Sequence, residues 1–281
     1  MRYLLNPEQW IVRAGSSCDT GRLRSGIRAP GQTQCARTPG TAKAATVGLD
    51  VRDSKDLPAS KTEEFYDTVL APSFVDSELI PRAEFLADLN DPRGETVASV
   101  ALGDAGEILG GAVGQWFPQC RVMLTAYLAT RPGRRGDGVG GKILRAVAAD
   151  WQRRVDPLLI VGEVEDPRHH TDIGFGDPER RLKFYAAAGA KIIRVPYFQP
   201  AIHADGDRVP HLFLMTFAVA DECRRGDHGI DAAPVRGFLA ANLAANEGSV
   251  DPDDPATAAL LDAVSGPTVE LLDPKTTRID P

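Results

Sequence analysis

The 281-residue chain reads as an α/β protein: a mixed, mostly antiparallel twisted sheet with a central parallel βαβ unit and flanking helices, followed by a C-terminal helical extension. Three observations predict this. Thr96–Leu102, Ile108–Phe117 and Val122–Thr130 read as successive strands joined by short turns, with Gly103-Asp104-Ala105-Gly106 the clearest hairpin signal, and so predict an antiparallel meander. The third of these strands ends at Pro132 and passes through a basic, glycine-rich turn. That turn opens a helix with Ile143, Leu144, Val147, Trp151 and Val155 on one face. Leu158–Val164 is then apolar throughout, apart from Gly162 and Glu163, as expected of a strand covered on both faces. It closes a parallel strand–helix–strand unit.

The remaining elements follow in order. Val47–Val51 reads as an edge strand, and Lys61–Leu70 and Glu78–Leu89 place Phe65, Val69, Leu79, Phe85, Leu86 and Leu89 at helical intervals. Asn90-Asp91-Pro92-Arg93-Gly94 is a turn, and Asp156-Pro157 stops the helix that follows the glycine run. Asp177 as N-cap with Pro178 at the first helical position opens the next helix, which Gly189 ends. Lys191–Tyr197 and Val209–Val219 supply two more strands. Ala232–Asn246 and Pro255–Val264 form amphipathic helices around an acidic, proline-containing linker, expected to cover the domain or to bind a second copy as a homodimer.

Three regions are therefore expected: a disordered basic extension over 1–45, a catalytic-type α/β domain over 46–220 and a helical extension over 221–281. The first carries seven basic side chains against Glu8 and Asp19, so the rest of the chain is more acidic than the overall charge of −7. An acidic body disfavours nucleic acid as a partner and suits a cationic or amine ligand. No segment resembles a membrane span or a secretory signal. Cys18, Cys35, Cys120 and Cys223 are scattered without a C-x-x-C pair, which leaves no zinc cluster or disulfide framework and makes a reducing cytoplasm the expected location. The preference for Arg over Lys, with abundant Ala, Gly, Asp and Pro, suggests a GC-rich bacterial genome.

The run from Leu128 to Leu144 is the most informative stretch. A glycine-rich turn that opens a helix lets the main chain approach an anion and aims the unpaired N–H groups of the first helical turn at it, so the ligand should carry phosphate. Gly136-x-Gly138-x-x-Gly141 fits a dinucleotide fingerprint, with Glu163 or Glu165 as the ribose acid. However, Arg131 to Arg135 intervene between strand and first glycine, and extended segments precede the motif. Gly136 to Lys142 fits the spacing of a nucleoside-triphosphate loop, but Ile143 stands where a magnesium-binding hydroxyl belongs. The third pattern, R/Q-x-x-G-x-G/A, is met by Arg135, Gly138 and Gly140.

This segment resembles the acetyl-CoA-binding motif of the GNAT superfamily of N-acetyltransferases. A second motif agrees: Phe184-Tyr185-Ala186-Ala187-Ala188-Gly189 is similar to the family's F/L-Y-x-x-x-G-F helix end, with Ala190 in place of the usual aromatic. The resemblance implies a GNAT-type fold, acetyl-CoA as cosubstrate, no metal and an amine acceptor. It also implies that the parallel strands ending at Thr130 and beginning at Leu158 splay apart, with the thioester between them. Main-chain groups of Leu128, Ala129 and Thr130 would hold the pantetheine arm. Those of Gly136, Asp137, Gly138, Val139, Gly140 and Gly141 would hold the pyrophosphate, with Arg135 adding charge.

An amine is mostly protonated at neutral pH, so a carboxylate near the acceptor must take its proton. Glu163 best matches the family's strand carboxylate, and Glu165, two residues on and expected on the same face, is the second candidate. By the same resemblance Tyr185 gives a proton to the coenzyme A thiolate. The insert Asp166 to Gly176, with His169, His170, Asp172 and Phe175, should overhang the acceptor. Trp116, Phe117, Tyr197 and Phe198 are expected either in an apolar wall there or in the core. Two other outcomes stay open: a non-catalytic acyl-CoA-binding sensor, if Glu163 and Tyr185 are structural, and transfer of a longer acyl chain.

Overall fold

The computed structural model describes residues 48–74, 79–134, 138–171, 177–201 and 207–275. The expected extension at 1–45 lies outside them, as do Arg135, Gly136, Asp137, Asp172 and Phe175.

The described strands form one ten-stranded sheet in the order β1-β2-β3-β4-β5-β7-β6-β10-β9-β8. β1 (Asp50–Asp53), β2 (Thr96–Leu102), β3 (Ile108–Phe117) and β4 (Val122–Thr130) make the expected antiparallel meander with β1 at its edge. β4 and β5 (Leu159–Glu165) are parallel, and α3 (Val139–Val155) crosses between them. β5 continues antiparallel to β7 (Leu212–Val219), which pairs with β6 (Lys191–Ile193). The sheet is mixed α/β and mostly antiparallel with one parallel pair.

Both faces are covered, which explains why β2 and β5 are buried along their full length. On one face α3 and α4 (Pro178–Ala187) pack Ile143, Leu144, Val147, Trp151 and Tyr185 against Met123, Leu128, Ile160, Val164 and Met215. On the other, α1 (Ala59–Phe65), a π-helical turn over Tyr66–Leu70 and α2 (Arg82–Leu89) cover the meander through Phe65, Val69, Leu70 and Phe85. Close approach on both sides depends on small residues in β3. A Cβ at Gly111 would collide with the Phe65 ring, and one at Gly114 with Met123 and Trp151.

The second half of that face is covered by α5 (Ala232–Glu247) and α6 (Pro255–Asp262), near the positions expected of the two C-terminal helices. Val235, Phe238, Leu239 and Leu243 of α5 join Leu260 of α6 over Val122, Leu124, Leu159, Val161 and Leu214. The segment after 221 is not purely helical, however. It adds β8 (Arg224–Arg225), β9 (Gly229–Asp231) and β10 (Thr268–Leu272), and β10 pairs with β6 as well as β9. Without β10, β6 would be an open edge with unpaired backbone groups. β6 also ends at Ile193, four residues before the expected limit, so Tyr197 lies in the following loop.

Candidate active site

β4 and β5 share only three residue pairs, Val122 with Leu159, Met123 with Ile160 and Leu124 with Val161. Beyond these they part. β4 runs on to Thr130 paired with β3, while β5 runs on to Glu165 paired with β7. A bulge explains the parting: Val113 and Gly114 of β3 face Tyr127 and Thr125 of β4, leaving Ala126 as the extra residue where the strands separate. An extra residue bends its strand and adds twist. A second irregularity, between Ile160 and Val161 of β5 as it pairs with β7, lies on the far side of the wedge. The result is a wedge of backbone between two buried strands, open at the end from which α3 starts.

At that end the chain leaves β4 through Pro132 and Gly133, the latter at φ +80°, and enters α3 from Gly138 at φ +71°, with no side-chain cap. Gly138, Val139, Gly140 and Gly141 thus stand at the start of a 17-residue helix whose N-cap, a glycine, brings no side-chain acceptor to the first N–H groups. A Cβ at Gly140 would press on the Phe184 ring at 3.3 Å and on Thr130 Oγ1 at 3.4 Å, so the turn is packed against both α4 and the end of β4. Leu128, Ala129 and Thr130 line the β4 side.

Two buried hydroxyls in this region have no hydrogen-bond partner among the described residues: Thr125 Oγ1, where the strands part, and Tyr185 OH on α4. The Tyr185 ring stacks on Phe217 with centroids 4.9 Å apart and is wholly buried. Burial pushes its hydroxyl above the ordinary tyrosine value, while the Arg181 cation pulls the other way. A buried hydroxyl without a partner costs about 1–3 kcal/mol.

The two strand carboxylates have different surroundings. Glu163 is 2% exposed and accepts from the Tyr197 hydroxyl on one oxygen and from Gln199 Nε2 on the other at 3.1 Å. Burial pushes its carboxyl up to about 8, against the pull of these two donors. Glu165 is ion-paired to Arg181 of α4, and both are buried. The two acids therefore differ in surroundings: one meets neutral donors, the other a cation. Arg181 and Gln199 carried no distinctive sequence signal, since each acquires its place only when its segment folds over β5.

The aromatic residues resolve toward the core. Phe117 packs edge-on against Phe238 of α5 at 5.2 Å, and Tyr197 and Phe198 belong to the same cluster. Trp116 packs against the opposite face. In the insert, His169 stacks on His211 at 3.9 Å, and His170 Nε2 lies 3.2 Å from the Pro210 carbonyl oxygen. Among the described residues no group of three His, Cys, Asp or Glu side chains could hold a metal ion, and no helix is long and apolar enough to cross a membrane.

No family model and no curated protein matches the chain. Among solved structures it is similar to a protein described as a GNAT-family acetyltransferase from Bacteroides thetaiotaomicron, at 22% identity over 62% of this chain and 88% of that one, with a TM-score of 0.46. It is also similar to the ribosomal-protein-S18-alanine N-acetyltransferase of Escherichia coli (15% identity, 64% and 99% coverage, TM-score 0.38). A third is the catalytic domain of a Tetrahymena histone acetyltransferase in complex with coenzyme A (13%, 66% and 100%, 0.39). All three are described as acetyltransferases.

Proposed function

We propose that this chain is an N-acetyltransferase of the GNAT superfamily that binds acetyl-CoA in the wedge between β4 and β5 and moves the acetyl group directly to a primary amine of a small molecule or peptide. The parting of β4 and β5 at the Ala126 bulge carries the reading, because it leaves two backbone edges facing a gap beside a helix start built from the glycine motif. The main chain of Leu128, Ala129 and Thr130 takes the pantetheine arm. Gly138 to Gly141, with Arg135, Gly136 and Asp137 from outside the described residues, take the pyrophosphate.

Glu163 is the base. It takes the proton that the amine must lose as the new C–N bond forms and the C–S bond breaks, and a carboxyl titrating near 8 is matched to that task close to neutral pH. Tyr185 gives its proton to the departing thiolate. Glu165 holds α4 against β5 through Arg181, which keeps Tyr185 in place.

Tyr185→Phe is expected to lower kcat about a hundredfold with acetyl-CoA affinity unchanged. The same variant should raise the unfolding free energy by about 1 kcal/mol, because it deletes a buried hydroxyl without a partner. Steady-state kinetics beside thermal unfolding checks both. Unaltered kinetics would leave Tyr185 a packing residue.

One observation favours a second reading, an acyl-CoA-binding module without turnover: Glu163 is fully buried with both oxygens engaged, as a structural carboxyl would be. Calorimetry with acetyl-CoA and a longer acyl-CoA series, beside thiol release with a panel of amines, separates the two. Binding with thiol release is the expected result. Binding alone supports the module, and absence of binding removes both.

A further inference from the structure

We propose that Asn242 of α5 is a positioning residue for Glu163, acting through Tyr197, so that the C-terminal segment completes the acetyl-transfer site as well as covering the sheet. This rests on the reading of Glu163 as the base.

The contacts form a directed chain. Asn246 Nδ2 donates to Asn242 Oδ1 at 2.9 Å and to the Asn242 carbonyl oxygen at 2.8 Å. Asn242 Nδ2 donates to the Tyr197 hydroxyl oxygen at 3.3 Å, and Tyr197 donates to Glu163. The sense of each step is fixed by the next. With Glu163 ionised, the carboxylate can only accept, so the one proton of the Tyr197 hydroxyl goes to it and the hydroxyl oxygen must accept. Asn246 occupies the Asn242 oxygen, which leaves the amide nitrogen to face Tyr197.

The chain crosses an apolar region. Glu163, Tyr197 and Asn242 are each 5% exposed or less, among Phe117, Val161, Leu214, Phe238 and Leu239. In such surroundings one hydrogen bond polarises the next, so a donor to Tyr197 makes Tyr197 a stronger donor to the carboxylate. Among the described residues Tyr197 is the titratable group that faces Glu163 from the 194–201 loop. Gln199 of that loop and Asn242 of α5 are neutral, and Leu214 stands opposite on β7. For packing alone, an apolar side chain at 242 would serve the core of α5 as well.

The test is Asn242→Leu, read by 13C NMR titration of the Glu163 carboxyl and by the pH profile of kcat/KM. Losing the donor should move the Glu163 titration upward by about half to one pH unit. That lowers kcat/KM at pH 7 roughly three- to tenfold and leaves the high-pH plateau unchanged. In a Tyr197→Phe background the same substitution should add nothing, since Asn242 acts through that hydroxyl. If Asn242→Leu does not fold, Asn246→Ala, which frees the Asn242 amide, should move the titration in the same direction by less. An unmoved titration in a folded variant, or a full additional effect in the Tyr197→Phe background, overturns the proposal. A moved titration with an unmoved pH profile leaves the hydrogen-bond chain standing and refutes Glu163 as the base.

Discussion

Glu163→Gln is expected to lower kcat/KM for acetyl transfer by about 10²- to 10⁴-fold, with acetyl-CoA affinity unchanged. The amide keeps the shape of the side chain and, with the Gln199 amide turned, can still accept from Tyr197 and pair with Gln199, so the loss falls on proton transfer. In the parent, kcat/KM should fall about tenfold per pH unit below about 8, because only the ionised carboxylate accepts the proton. The variant's residual rate should lose that limb. Stability runs in the opposite sense. The folded carboxyl titrates near 8 against an ordinary 4.5, so its contribution is fully present below 4.5 and is lost as the pH rises through 8. Glu163→Gln should remove this dependence and be more stable than the parent above pH 8. Urea unfolding at pH 5, 7 and 9 reads it directly, and parallel curves for parent and variant would contradict it.

Arg181→Met should cost about 3–5 kcal/mol, a drop in Tm of roughly 10 °C, because it leaves the buried Glu165 without the cation that faces it. Replacing both partners with apolar side chains of similar size should recover most of the loss, since the cost lies in taking the cation away from a buried carboxylate. Turnover should fall with stability in the single variant, because α4 carries Tyr185 one turn beyond Arg181. A single variant as stable as the parent would mean that the pair does not hold α4 to β5.

Much of this was legible in the amino-acid order. The meander, the crossover helix and the helix capped by Asp177 and Pro178 all show period, turn and cap signals within a few residues, and they appear close to the positions those signals indicate. The C-terminal segment was harder. Its two helices are periodic enough to see, but Thr268–Leu272 alternates over only five residues, and its pairing with β6 depends on a partner 75 or more residues away. Likewise, the aromatics near the strand ends gave no sign of which were core, because that depends on α5 lying over them.

Local sequence thus determined the meander, the crossover helix and the helix opened by Asp177 and Pro178, since hydrophobic period and capping act between near neighbours along the chain. Tertiary structure alone decided the environment of each acid: Glu163 meets a tyrosine and an amide, and Glu165 meets an arginine. Charge and proton affinity depend on what surrounds a group in space, and those neighbours come from segments 16 to 36 residues away, brought together only when helices and loops close over β5.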